Sequence, residues 1–454
     1  MYLLYSIVLA LGLVALTPWL LLRNGPDARY TRFLGERFGG VRPLPPLRCA
    51  PGAPAVGRGA IWIHAVSVGE ALAVERLIAE LRQRFPQRPV VLSVTTATGR
   101  AVAERRINAD ALFYFPLDFR FAVRRTLDAI APDLVLIAET EIWPNFLREA
   151  AARNLPVVFI NGRISGHSFA RYRLVRRLLQ PTLGRVSEFL MQTRTDADRI
   201  LDLGADPAHV QVAGNLKFDL IPPAQPAFLR ALRAALETAG IERVLVAGST
   251  MEGEEAIVIE AYRQMLAHLA APQNVLLVLA PRHPQRFEQA ATLLQASGLP
   301  WTRRFRLELQ PPPAGGVLLL DSIGELASVY QLAAAAFIGG SLTPHGGHNI
   351  LEPAYWGAPV VFGPHMENFA HIAELFLAQR AALRVSSGLE LSRVWRQLLD
   401  DPAQRERVGA AGRALLESQR GATGRALDVI QTVIESSATP VAGVARVAAT
   451  ENSR

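Results

Sequence analysis

Along the chain, short unbroken apolar runs alternate with stretches in which apolar residues recur every three or four positions. The first kind occupies 61–66, 90–95, 134–138, 156–160, 189–192 and 210–213, then, beyond a Pro-rich stretch, 244–248, 275–280, 317–320, 334–338 and 359–362. The second kind, as in Ala71–Phe85, Glu252–Leu269 and Phe369–Gln379, reads as amphipathic helix. Continuous apolar strands separated by helices predict parallel sheets covered on both faces. The Pro-rich break then predicts an α/β fold of two doubly wound domains facing a cleft: 24–220, a linker at 221–227, and 228–435. Segments 41–58 and 302–315 read as loops, and 436–454 as a small, polar tail.

Ahead of these units, Tyr2–Leu22 is uncharged and mostly apolar, close to the ~20 residues that span a bilayer. Tyr2, Tyr5 and Trp19 sit near its ends, and Arg23, Arg29, Arg32 and Arg37 follow it. The pattern predicts one N-terminal transmembrane helix over 1–23, with the rest of the chain cytoplasmic by the positive-inside rule. A cleaved signal peptide would need a basic start, a shorter apolar core and a small-x-small site, none of which is present.

Composition narrows the chemistry. Half of the 454 residues are hydrophobic, which excludes a mostly disordered chain. The net charge of +8 favours an anionic partner. Basic residues are not interleaved with aromatics as in a nucleic-acid module, so no nucleic-acid partner is expected. A lone cysteine, Cys49, excludes an intrachain disulfide. Lys217 is the only lysine among 48 basic residues, either by chance in an arginine-biased chain or because a compact ammonium is wanted there and a guanidinium will not serve.

Ligands of open parallel sheets bind beyond the carboxyl ends of the strands, and the unusual residues cluster there. Ser67–Glu70, Glu139–Asn145, Asn161–Ser165 and Gly214–Asp219 follow strands of the first half; Gly248–Thr250, Pro281–Pro284 and Gly339–Glu352 follow strands of the second. The paired glycines 339–340 and 346–347, before a helix expected near Asn349, suit a phosphate held by backbone N–H groups. Neither GxGxxG after the first strand nor GxxxxGK[ST] occurs, which removes support for NAD and P-loop chemistry. His283, His345, His348 and His365 match no common metal-ligand spacing, so no metal is expected. Glu70, Glu139 and Glu141 are candidate bases, since a carboxylate in a partly dry cleft has its pKa raised. Lys217 could offset charge on a departing group. These residues describe a metal-independent group transfer from a phosphate-bearing donor at a membrane surface.

As a set, Phe33–Gly39, Ile61–Glu70, Glu139–Asn145, Gly214–Asp219, Pro281–Phe287, Gly324–Leu326 and Gly339–Pro353 resemble the 3-deoxy-D-manno-octulosonic acid (Kdo) transferases of lipid A biosynthesis. The resemblance runs from about residue 30 to 370. It implies an inverting glycosyltransferase of the GT-B fold at the inner membrane, with two Rossmann-like domains, CMP-Kdo as donor, a lipid A precursor as acceptor, and no cofactor or metal. It implies Glu70 as the base, and Glu139 and Lys217 as transition-state stabilisers. It also implies CMP binding by Arg282, His283, Gly324, Glu325, Leu326, Asn349, Ile350, Leu351 and Glu352. The family's usual His after AGST is Met251 here, and Gly162 stands where a small residue such as Ala is common. A UDP-sugar transferase or epimerase of the same fold is the alternative. Finally, 167–180 reads as one helix whose Arg171, Arg173, Arg176 and Arg177 could meet anionic head groups, or could simply form a solvated face.

Overall fold

A computed structural model of the chain describes residues 2–24, 28–44, 59–220, 226–307 and 311–438. Most of the expected linker, the tail beyond 438 and Cys49 lie outside the described residues. The chain forms two units: one comprises 1–219 together with 420–454, the other 220–419. The second domain thus stops short of the expected 435, because the last helix, Ala422–Ala438, inserts Ala422, Ala426, Leu427, Ile430 and Ile434 into the core of the first unit. Asp219 fixes this return by accepting hydrogen bonds from the Gly421 and Thr423 amides at 2.7 and 2.6 Å.

In the first unit the strands are β1 (Ala60–Ala65), β2 (Val90–Val94), β3 (Ala111–Tyr114), β4 (Pro132–Ala138), β5 (Val157–Gly162), β6 (Glu188–Met191) and β7 (Val210–Val212). They pair in parallel in the order β3-β2-β1-β4-β5-β6-β7. The second unit holds β8 (Arg243–Thr250), β9 (Val275–Pro281), β10 (Trp301–Arg303), β11 (Val317–Leu319), β12 (Ala333–Ile338), β13 (Val360–Phe362) and β14 (Ala382–Arg384). These are parallel in the order β10-β11-β9-β8-β12-β13-β14. Central strands are buried on both faces between helix layers, as their unbroken apolar runs require. Strand order reverses between β1 and β4 in one sheet and between β8 and β12 in the other. Such switch points open a crevice at the strands' carboxyl ends.

The apolar N-terminal run forms a helix, Tyr2–Asn24, but the expected membrane-spanning helix is not found there. Among the described residues no helix is long and apolar enough to cross a membrane. The side chains of Trp19, Arg23, Arg29 and Arg32 lie outside the described residues. The first turns are docked on the first unit: Asn145 Nδ2 donates to Ser6 Oγ at 3.0 Å, Tyr5 hydrogen-bonds Asp118, and the Tyr2 ring lies 4.8 Å from the Arg148 guanidinium. Leu3, Ile7, Val8, Leu11 and Val14 form the opposite, exposed face.

The expected helix over 167–180 is two helices, Gly166–Leu174 and Arg176–Leu183, broken at Val175. The break divides the apolar residues. Phe169, Tyr172 and Leu179 pack on the core, whereas Leu174, Val175 and Leu178 are exposed.

Candidate functional site

Two groups of residues stand at the two switch points, one in each unit. In the first unit, β1 ends at Ala65 and the helix Val68–Arg84 begins with Ser67 as its N-cap. Ser67 and Glu70 form a variant of the reciprocal capping box. The Glu70 amide donates to Ser67 Oγ at 3.4 Å, the Ser67 hydroxyl donates to Glu70 Oε1 at 2.8 Å, and the Val66 amide donates to Glu70 Oε2 at 2.7 Å. Glu70 is therefore held in one orientation with its side chain largely out of water. Burial, and then the charge of Glu139, push its pKa above the ordinary carboxylate range, against the opposing effect of the Val66 and Ser67 hydrogen bonds and of Lys217.

Across the switch point, β4 delivers Glu139 in a left-handed backbone conformation, φ +57°, pinned by its amide to the Ile160 carbonyl at 2.9 Å. Asn161, at φ +54°, repeats this strain at the end of β5. Each such residue costs about 1–3 kcal/mol, a cost typically borne where geometry serves function. Asn161 Oδ1 accepts the Leu216 amide at 3.0 Å, Gln192 Nε2 donates to the Asn161 carbonyl at 3.0 Å, and Asn215 Nδ2 donates to Gln192 Oε1 at 3.1 Å. This buried amide network fixes the short helix Leu216–Phe218 and with it Lys217, whose Nζ lies 3.9 Å from Glu139 Oε1. The structure thus brings Glu70, Glu139 and Lys217 together and adds Glu141, pushed up to about 7 by burial and by the charges of Glu70 and Glu139. One carboxylate of raised basicity beside a cation is an arrangement suited to taking a proton from a hydroxyl.

Behind this group, Asp118 accepts the Asn145 and Phe146 amides at 3.0 and 2.7 Å and so holds the start of the helix that closes the Glu139–Asn145 segment. Burial pushes Asp118 up to about 7. The sequence reading missed it, because nothing in FPLDF announces a carboxylate aimed at amides twenty-seven residues away.

In the second unit, Ser249 (φ +57°) is the last residue but one of β8. Gly339 leaves β12 so close to it that any Cβ would overlap the Ser249 carbonyl, and a Cβ on Gly248 would overlap the Tyr330 hydroxyl. Arg282 and His283 follow β9, and their charges reach His348, which burial first and these neighbours next push down to about 4. His348 is a neutral imidazole at neutral pH, with Nε2 buried and unpartnered among the described residues. Glu352 accepts from Asn349 Nδ2 at 3.2 Å and, with Arg282, stands close enough to Tyr330 to act on its hydroxyl. Arg282, His283, Asn349 and Glu352 are thus gathered in one place.

Others of the expected nucleotide residues have side chains engaged within the protein. The side chains of Ile350 and Leu351 are fully buried, leaving only their backbone to meet a ligand. The Glu325 carboxylate is occupied by a two-pronged pair with Arg304 at 2.8 and 2.5 Å and by the Ser322 hydroxyl. Gly324 turns the chain at φ +94°, and Leu326 packs on the core. Arg171, Arg173, Arg176 and Arg177 are all exposed, with Arg173 lying 3.7 Å from Asp202.

Comparison with known proteins bears on both units. Residues 32–220 match the family described as 3-deoxy-D-manno-octulosonic-acid transferase (kdotransferase). The 3-deoxy-D-manno-octulosonic acid transferase of Bordetella pertussis is 38% identical over 406 residues, 88% of this chain and 91% of that one. The protein of the same name from Haemophilus influenzae is 35% identical over 416 residues, covering 90% and 92%. Among solved structures, a UDP-N-acetylglucosamine 2-epimerase superposes with a TM-score of 0.55 over 86% of this chain and all of the other, at 13% identity. The epimerase from Neisseria meningitidis, bound to UDP-GlcNAc, gives 0.51 over 83% and 100%, at 15% identity. At such identities the likeness extends to the fold alone.

Proposed function

Since the chain belongs to the 3-deoxy-D-manno-octulosonic acid transferase family, we propose that it is a glycosyltransferase that moves Kdo from CMP-Kdo to a lipid A precursor, with inversion and without a metal. The observation that carries the mechanism is the grouping of Glu70, Glu139 and Lys217 at the first switch point. Glu70 takes the proton of the acceptor hydroxyl as its oxygen forms the new bond to the Kdo anomeric carbon. The bond from that carbon to the CMP phosphate breaks, and CMP leaves with the electron pair. Lys217, oriented by Glu139, stabilises the negative charge that grows during the transfer. The second unit binds CMP, with Glu352 accepting from the ribose and Arg282 and His283 meeting the phosphate.

Incubation with CMP-Kdo and a tetra-acylated lipid A precursor tests this. Mass spectrometry of the lipid should show added Kdo, with release of CMP. Turnover of a UDP-sugar in its place, with CMP-Kdo left intact, would replace the reading with the UDP-sugar alternative.

The pH dependence has a definite sign. Glu70 acts only when deprotonated, so kcat/KM falls as pH drops through its pKa, which burial and Glu139 hold above the usual carboxylate range. Glu139→Gln removes the neighbouring carboxylate whose charge raises Glu70. The acidic limb of the kcat/KM profile should therefore move to lower pH in that variant. A limb that stays in place or moves up would separate Glu139 from the base.

We further place the enzyme on the cytoplasmic face of the inner membrane. The exposed row Leu3, Ile7, Val8, Leu11 and Val14, and the exposed Leu174, Val175 and Leu178 among arginines, support this attachment. Replacing Arg173, Arg176 and Arg177 together by Gln should weaken binding to anionic liposomes and raise KM for the lipid acceptor, with KM for CMP-Kdo unchanged. If both liposome binding and the lipid KM stay at the parent's values, these arginines form only a solvated face.

A further inference from the structure

Residues 253–255 read Gly-Glu-Glu, and the fold makes unusual use of both carboxylates. Glu254 and Glu255 open the helix Glu254–Leu266 directly after β8, at the second switch point, and both are 0% exposed. Glutamate is rarely buried to that degree unless fully partnered. Glu254 has four backbone donors: Oε2 accepts the Met251 amide at 3.0 Å and the Gly340 amide at 2.5 Å, and Oε1 accepts those of Ser341 at 2.9 Å and Leu342 at 2.8 Å. Three of the four belong to the turn that leaves β12 and opens the Gly-rich loop 339–352. Glu255 instead takes Arg286 Nε and Nη2 at 2.9 and 2.8 Å, with the Thr250 hydroxyl at 3.4 Å. Arg286 closes the turn that carries Arg282 and His283, its amide donating to the His283 carbonyl at 2.9 Å.

We infer that Glu254 and Glu255 are positioning residues for the nucleotide donor: Glu254 sets the Gly-rich loop, Glu255 sets the Arg282–His283 turn, and one helix start holds both segments in register. The inference rests on the reading that CMP binds the second unit. The helix itself is packed through Val258, Ile259, Ala261, Tyr262 and Met265, so it offers both loops a rigid reference. The position where the family usually has His contributes its backbone here, which is why Met251 can stand there without disturbing the clamp.

In Glu254→Gln the side chain keeps its shape, but one acceptor oxygen becomes an NH2 group facing two backbone donors, so two hydrogen bonds are lost and the loop is released. A displacement on the scale of an ångström at a binding segment can change rates and affinities up to about 10²-fold. Calorimetry with CMP and steady-state kinetics with CMP-Kdo and lipid acceptor should show the CMP Kd and the donor KM raised about tenfold or more. The lipid KM should be unchanged and kcat reduced far less. A purely structural role would lower the unfolding temperature or the active fraction while leaving Kd and the donor KM alone, and that result overturns the inference. If Glu254→Gln does not fold, Glu255→Gln, Arg286→Gln and their double variant decide: each should weaken CMP binding, and the double no more than either alone, since they remove one ion pair. Unchanged CMP affinity in both single variants overturns it as well. Failure of the parent protein to bind CMP overturns the functional reading and the inference with it, whereas CMP binding unaltered by the substitutions overturns the inference alone.

Discussion

Glu70→Gln is expected to lower kcat by about 10²–10⁴-fold, the usual contribution of a positioned general base, while leaving CMP affinity and folding close to those of the parent. The choice of Gln rather than Ala follows from the two roles the side chain plays. Its carboxylate accepts the Val66 amide and the Ser67 hydroxyl, so it also fastens the start of the helix Val68–Arg84. Ala would remove base and cap together, and the cap alone is worth about 1 kcal/mol. Gln satisfies the same box, because its oxygen can accept the amide and its NH2 can donate to Ser67. Loss of turnover in Gln is therefore loss of the base. Parent-like turnover in a well-folded Glu70→Gln would assign the residue to the helix start and nothing more.

Lys217→Arg should cost about 10²–10³-fold in turnover, similar to removing one donor from an oxyanion-stabilising site. Charge is retained in this variant, so the loss measures geometry. Lys217 has little room: the helical turn that carries it is tied to Asn161, Gln192 and Asn215, and its ammonium lies 3.9 Å from Glu139. A planar fork longer than the ammonium must displace Glu139 or turn away from the reacting group. Glu139, held at positive φ, has little freedom to follow. The CMP Kd should not change. If Lys217→Arg turns over like the parent, the solitary lysine in an arginine-rich chain is an accident of composition.

The centre of each sheet was legible because strands buried on both faces must be apolar throughout, so β1, β2, β4, β8 and β9 appear as unbroken runs. The strands that escaped, β3, β10 and β14, are all edges. They are short and only partly covered; Ala382, Leu383 and Arg384 pass from buried to exposed within three residues. The residues of the candidate site were visible where chemistry and position coincide, as with Glu70, Glu139 and Lys217 at strand ends. The groups that hold them were not. Asp118, Gln192, Glu254 and Glu255 act through backbone amides or side chains that only the tertiary fold brings near. Asn161 carries a local signal, since Asn tolerates the left-handed region, but Glu139 and Ser249 in the same conformation give none. The break at Val175 was equally silent, because the residues on both sides keep the same mixture of Arg and Leu.

The return of the helix Ala422–Ala438 to the first unit makes residues 220–419 an insertion within that unit rather than a successor to it. Synthesis therefore reaches the last piece of the first core only after the whole second sheet has been made. Until then, the apolar side of the helix Val68–Arg84 that includes Leu77, Ile78 and Leu81 lacks the cover of Leu427, Ile430 and Ile434. A nascent chain halted anywhere before Gly421 leaves Asp219 without the amides it holds in the finished protein. A chain ended before this helix thus leaves one side of its first core uncovered.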